Sequence, residues 1–145
     1  MPGPHHRKPA AWQCAIELVP RVHAIACALP REEHDRLGDR LRRVACGLPV
    51  NVAGACRALD PRACVLHLAT AGDALVELVD LLFEVARLDC TDLAPLLDDM
   101  TPRLARMDAH LHGWNARLAR RCREERREPG ATSYNARPLD RLPVP

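Results

Sequence analysis

Aromatic side chains are nearly missing from this 145-residue chain, which has two Trp, one Tyr and one Phe. Strands draw on aromatic and β-branched residues, so a core left to Ala and Leu points to an all-α fold. Lysine is scarcer still: of 21 basic residues all but Lys8 are Arg. A GC-rich genome produces that bias as readily as selection for guanidinium chemistry does, so the arginine count alone carries little weight. No apolar run approaches the ~20 residues that a bilayer span requires, which excludes a transmembrane helix. The seven cysteines, at 14, 27, 46, 56, 64, 90 and 122, follow no secretory leader and contain no CxxC pair. A disulfide framework or a zinc site needs tighter, paired spacing, so they read as reduced thiols of a cytoplasmic protein, most of them small core fillers.

The residue sets that carry catalysis are also missing. There is no nucleophile beside a base and no glycine loop able to cradle a phosphate. Asp73, Glu77, Asp80 and Glu84 share one helical face, and di-iron bundles do use inward Glu. Those sites add Glu-x-x-His, which occurs nowhere here, and the acidic row lies off the Leu75/Leu78/Leu82 seam. It therefore reads as a solvated or interfacial face. His67, His110 and His112 read as surface or boundary residues with no carboxylate at helical spacing to orient them, and His5 and His6 as incidental to an N-terminal tail. No catalytic residue, no cofactor and no metal site is expected.

What the chain does have is helical periodicity. Residues 1–9 hold three prolines and no pattern and read as disordered. Helix 1 is predicted over Ala10–Leu29, facing the core with Trp12, Ala15, Ile16, Val19, Val22, Ala26 and Leu29, and bent at Pro20. Helix 2 is predicted over Arg31–Ala58, with Leu37, Leu41, Val44, Leu48, Val52 and Ala55 inward and a bend at Pro49. Asn51 is placed to bond a backbone carbonyl freed by that proline. Asp60-Pro61 is a capping residue followed by proline at the first helical position, and helix 3 runs from there to Leu88. Its seam, Cys64, Leu68, Ala71, Leu75, Leu78, Leu82 and Val85, steps by fours and threes. Helix 4, capped by Thr91, carries Leu93, Leu97, Met100, Leu104, Met107, Leu111, Trp114 and Leu118 in the same rhythm, with a break or kink at Pro102. Beyond Leu118 the pattern gives way to an arginine-rich solvated end, and 129–145 reads as a disordered tail. Four such helices with short links, spanning 10–128, make an antiparallel up-down-up-down four-helix bundle.

Helix 3 has a second apolar row of Val65, Gly72, Val76, Val79, Phe83 and Ala86. It is either a broad stripe buried within one chain or a subunit interface.

The stretch from Leu37 to Arg57 resembles a known signature. Leu41, Arg42, Arg43, Ala45, Pro49, Asn51 and Ala53 match in register the Leu-Arg-Arg-Ala-Ala-x-Ser-Ile-Pro-x-Asn-Ile-Ala-Glu-Gly segment of a bacterial family. That family includes proteins encoded in 23S rRNA intervening sequences and the accessory variability protein (Avd) of diversity-generating retroelements. The LPREEHDRLGDRL lead-in, Trp12-Gln13 and LHGWNARL resemble other parts of it, so the likeness covers roughly 10 to 120. Gly54 and Ala55 stand where the family has Glu and Gly. The resemblance implies a pentameric ring of bundles with basic surfaces, associated with a reverse transcriptase and its structured template RNA.

Charge is unevenly spread. From Asp73 to Asp108 nine acidic residues face three arginines, a net −6 that leaves +8 for the rest of the chain. Helix 2 supplies Arg40, Arg42, Arg43 and Arg57, and the end of helix 4 supplies Arg117, Arg120 and Arg121, as candidates for nucleic-acid binding. They are also readable as a solvated basic face. Val65, Val76, Val79 and Phe83 are the candidates for an oligomer interface. The expectation is a non-catalytic homo-oligomeric adaptor that binds nucleic acid or a reverse transcriptase. A purely structural oligomer of the intervening-sequence type and a small bundle enzyme are the competing readings.

Overall fold

The computed structural model describes residues 9–127, and both tails expected to be disordered fall outside it apart from Pro9. Four α-helices make up the described chain: α1 (Ala10–Ala28), α2 (Asp39–Arg57), α3 (Pro61–Ala86) and α4 (Ala94–Arg127). There is no strand among the described residues. α3 begins as its sequence dictates: the Asp60 carboxylate accepts from the Arg62 N–H at 3.2 Å, and Pro61 spends its missing donor where none is needed.

Every member of the α3 seam is buried, and Leu93, Met100, Met107 and Leu111 carry the seam of α4 inward. Leu37, Leu41, Val44, Leu48, Val52 and Ala55 do the same from α2 and the turn before it. α1 differs from expectation. It buries Cys14, Leu18, Val22 and Ile25, whereas Ile16 is 40% exposed. The apolar arc of α1 is wider than the arc its neighbours cover, and Ile16 falls at the uncovered edge. The helices pack in a closed cycle, α1 on α2, α2 on α3, α3 on α4 and α4 on α1. Ion pairs show the registers: Arg21 meets Asp99 and Arg103 meets Glu17, while Arg36 meets Glu84 and Arg40 meets Glu77. In both sets, rising numbers on one helix meet falling numbers on the other.

Several boundaries depart from the periodic reading. Residues 31–38 do not belong to α2; Arg31–Glu33 form a 3-10 turn and His34–Gly38 a π-turn. The wide turn leaves both Leu37 and Leu41 fully buried, and His34 turns back so that Nε2–H donates to the Leu29 carbonyl at 2.8 Å, closing the end of α1. α3 stops at Ala86, and Asp89 takes a left-handed φ of 52° in the link, a conformation Asp tolerates. Thr91 does not cap α4; it opens a 3-10 turn, Thr91–Leu93. Pro20, Pro49 and Pro102 each lie inside one continuous helix, so Pro102 starts no new one. The missing N–H of Pro49 frees the carbonyl of Ala45, yet the Asn51 amide donates to Gly47 instead, at 2.9 Å. The side chain reinforces its own turn of helix rather than repairing the gap.

The cysteines are less internal than their composition suggests. Cys14 and Cys64 are buried, Cys27, Cys46 and Cys56 are exposed, and all seven are free thiols. Burial pushes the Cys14 and Cys64 thiols up from their ordinary value.

Candidate nucleic-acid interface

No polar or charged residue is buried among the described residues. Among those residues two surfaces differ from their surroundings in what they lack: one lacks ion pairs, the other a cover.

The first is the far end of α4. At about 1.5 Å per residue its 34 residues span about 51 Å, against about 28 Å for the 19 of α1 or α2. The neighbours run out first. Past Leu118 no residue of α4 is buried, and Arg117, Arg120, Arg121, Arg123, Arg126 and Arg127 are all exposed. The only carboxylates on that stretch are Glu124 and Glu125. None of these arginines is ion-paired among the described residues. The α2–α3 link lies beside them: a cleft of about 250 Å³ joins Leu59, Pro61 and Cys64 to Trp114, Arg121 and Glu125. Arg57 and Arg62 therefore stand at the same end, and Arg117 lines a second cleft with Ala10, Cys56 and Trp114.

The start of α2 behaves differently. Arg40 lies 3.6 Å from Glu77, and Arg42 lies 3.2 Å from Asp39. Arg36, which bonds Glu33 at 2.7 Å and Glu84 at 3.3 Å, is held more firmly protonated, chiefly by the Glu33 bond. Arg43 is exposed with no carboxylate partner among the described residues. Seventeen residues of helix put Arg40 about 25 Å from Arg57, so the seven arginines singled out by sequence do not form one patch. Arg57, Arg117, Arg120 and Arg121 come together, while Arg40, Arg42 and Arg43 lie at the other end. Arg62, Arg126 and Arg127 join the first group. Arg126 and Arg127 belong to the arginine-rich end already visible in the sequence; that α4 outruns its neighbours there is legible only in the structure, and Arg62 is placed by the start of α3.

The acidic row of α3 is split in the same way. Glu77 and Glu84 turn to the arginines of residues 36–40, whereas Asp73 and Asp80 face solvent without cation partners among the described residues. Asp108 stands four residues before His112 and meets its Nδ1 at 3.2 Å, so one histidine does have a carboxylate at helical spacing. On the opposite side Asp99 bonds Arg103 and Arg21 at 3.1 Å each, and both hold its carboxyl below the ordinary value, Arg103 foremost. No group of three His, Cys, Asp or Glu able to hold a metal occurs among the described residues.

The second surface is the outer row of α3. Val76 is 62% exposed and Phe83 65%, Val65 is exposed and Val79 half-buried, so the row is not a stripe buried within one chain. No helix of the described residues is long and apolar enough to cross a membrane. No protein-family model matches the chain, and no curated protein matches it.

Proposed function

We propose that the chain is a non-catalytic cytoplasmic adaptor: an antiparallel up-down-up-down bundle, assembled into a homo-oligomeric ring, that holds the phosphate backbone of a structured RNA. The resemblance of the 37–57 segment to the Avd family supports a pentamer and a reverse transcriptase as the further partner. One observation carries the reading, the unpaired arginines on the projecting end of α4. Guanidinium groups pair bidentately with phosphate, and the scarcity of exposed aromatic residues leaves little to stack on bases, so binding is sequence-tolerant. A ring repeats that array once per copy, which turns a modest charge per chain into a multivalent one.

The test is fluorescence anisotropy with structured RNA across a salt series. If roughly six to ten phosphates are contacted per ring, affinity falls by about 10³–10⁵ between 50 and 200 mM salt. Arg120→Glu/Arg121→Glu weakens binding and flattens the slope, while Arg40→Gln, whose guanidinium is engaged by Glu77, changes neither appreciably. Absence of binding at low salt, or a double variant as tight as the parent, refutes the nucleic-acid role. The exposed Val76 and Phe83 would then favour the structural oligomer of the intervening-sequence type.

A further inference from the structure

Between α3 and α4 runs a groove whose apolar floor and whose charges both want a partner. Two adjoining cavities of about 290 and 170 Å³ share Val79 and Leu104, with Val76 and Phe83 at their exposed edges. All the charged side chains lining them are acidic: Asp80, Asp98 and Asp108. Asp108 meets the His112 imidazole, and the other two meet no cation among the described residues. Two such grooves placed face to face would bring like charges together in an apolar contact, which disfavours a twofold α3–α3 dimer. The occupant has to supply apolar surface and cations together.

α2 presents such a strip. Arg43, Cys46, Val50 and Arg57 lie on its outer side and are all exposed, Val50 by 67%. Neither arginine has a carboxylate partner among the described residues, and a Cβ at Gly47 would meet nothing within 4 Å, so this side of α2 is open around Val50, while His67 of α3 reaches over it only further along, at Gly54. Arg43 and Arg57 are about 21 Å apart along the helix, and Asp98 and Asp108 about 15 Å. The length of an arginine side chain closes that difference.

We propose that the outer face of α2 of one copy lies in the α3–α4 groove of the next, Val50 against Val76 and Phe83, with Arg43 and Arg57 reaching the groove's aspartates. This rests on the oligomeric reading above and adds to it the two surfaces and their unlike character. A contact between unlike surfaces leaves a pair of copies with one free groove and one free strip between them, so it closes as a ring or grows as a filament. It also assigns Arg43 and Arg57 to assembly, and leaves Arg117, Arg120 and Arg121 to RNA.

Sedimentation velocity of the full chain tests it. Reversing the strip (Arg43→Glu/Arg57→Glu) or the groove (Asp80→Arg/Asp98→Arg) weakens self-association by about tenfold or more. Mixing the two variants restores association, because each then offers what the other's altered surface needs; since the copies must alternate, open or even-numbered species form and a five-membered ring keeps one unmatched junction. Val50→Asp gives a second loss, and circular dichroism confirms that each variant is folded. A parent protein that is monomeric at micromolar concentration overturns the oligomeric reading and this contact with it. An oligomeric parent whose reversed variants associate unchanged, or whose mixture fails to re-associate, overturns the contact alone.

Discussion

Replacing Gly54 by alanine sets two opposed effects against each other. Gly54 lies on α2 beneath the imidazole of His67 from α3: a Cβ there would come within 2.5 Å of Nδ1, 2.6 Å of Cε1 and 2.9 Å of Cγ. Ordinary contact begins near 3.4 Å, so the ring has to retreat by about 1 Å. Crowding of this kind costs about 1–3 kcal/mol, while exchanging Gly for Ala inside a helix gains about 1 kcal/mol. Crowding wins here because the Cβ meets the body of a half-buried ring, down to the carbon nearest the backbone, and not a flexible tip. The expected net loss is about 1 kcal/mol, or about 4 °C in Tm for a domain of this size. In a His67→Ala background the obstacle is gone and the same substitution should stabilise by about 1 kcal/mol, a coupling of about 2 kcal/mol. Urea and thermal melts of the four proteins, followed by far-UV circular dichroism, measure it. A Gly54→Ala protein at least as stable as the parent, or an equal effect in both backgrounds, refutes the reasoning. Gly54 also stands where the resembled family segment carries Glu, and the same clash would meet any larger side chain.

Asn51→Leu should lower stability by about 1 kcal/mol through loss of the bond to the Gly47 carbonyl, without changing RNA affinity; a stable variant that no longer binds RNA would make Asn51 a ligand contact instead. Asp99 provides an acid-sensitive link between α1 and α4. Its carboxyl is held below the ordinary value by Arg103 and Arg21, so its contribution is present above about pH 4 and is lost as pH falls through the lower folded value. Thermal melts below pH 5 should show a shallower acid decline for Asp99→Asn than for the parent, and superimposable profiles would remove Asp99 from the account.

Periodicity carried the inside of this protein well. The row through Cys64–Val85 is where spacing put it, because a buried stripe needs only the 3.6-residue repeat of its own helix; of the α4 row Leu93, Met100, Met107 and Leu111 are buried, while Leu97 and Leu104 between them are half-buried along the α3–α4 groove. The same logic failed at Ile16, where the apolar arc was wider than its cover, and at 31–38, where the chain reverses through a 3-10 and a π-turn. The outer apolar row of α3 was legible as a row, but only the packing showed it to be uncovered.

By itself, then, the sequence determined that the chain is helical, how many helices it makes and which side of most of them is buried, since those properties depend on residues a few positions apart. Only the tertiary structure decided which arginines are neutralised and which stand free. Arg40 looks no different from Arg120 and Arg121 in one dimension. Arg40 finds Glu77 because α3 lies against α2 in that register, and Arg120 and Arg121 find no carboxylate on another helix of the described residues because α4 outlasts every helix beside it. Pairing between helices is set by their relative length and register, and no local pattern encodes either; only pairs three or four residues apart, such as Asp39–Arg42 and Asp99–Arg103, can be read along the chain.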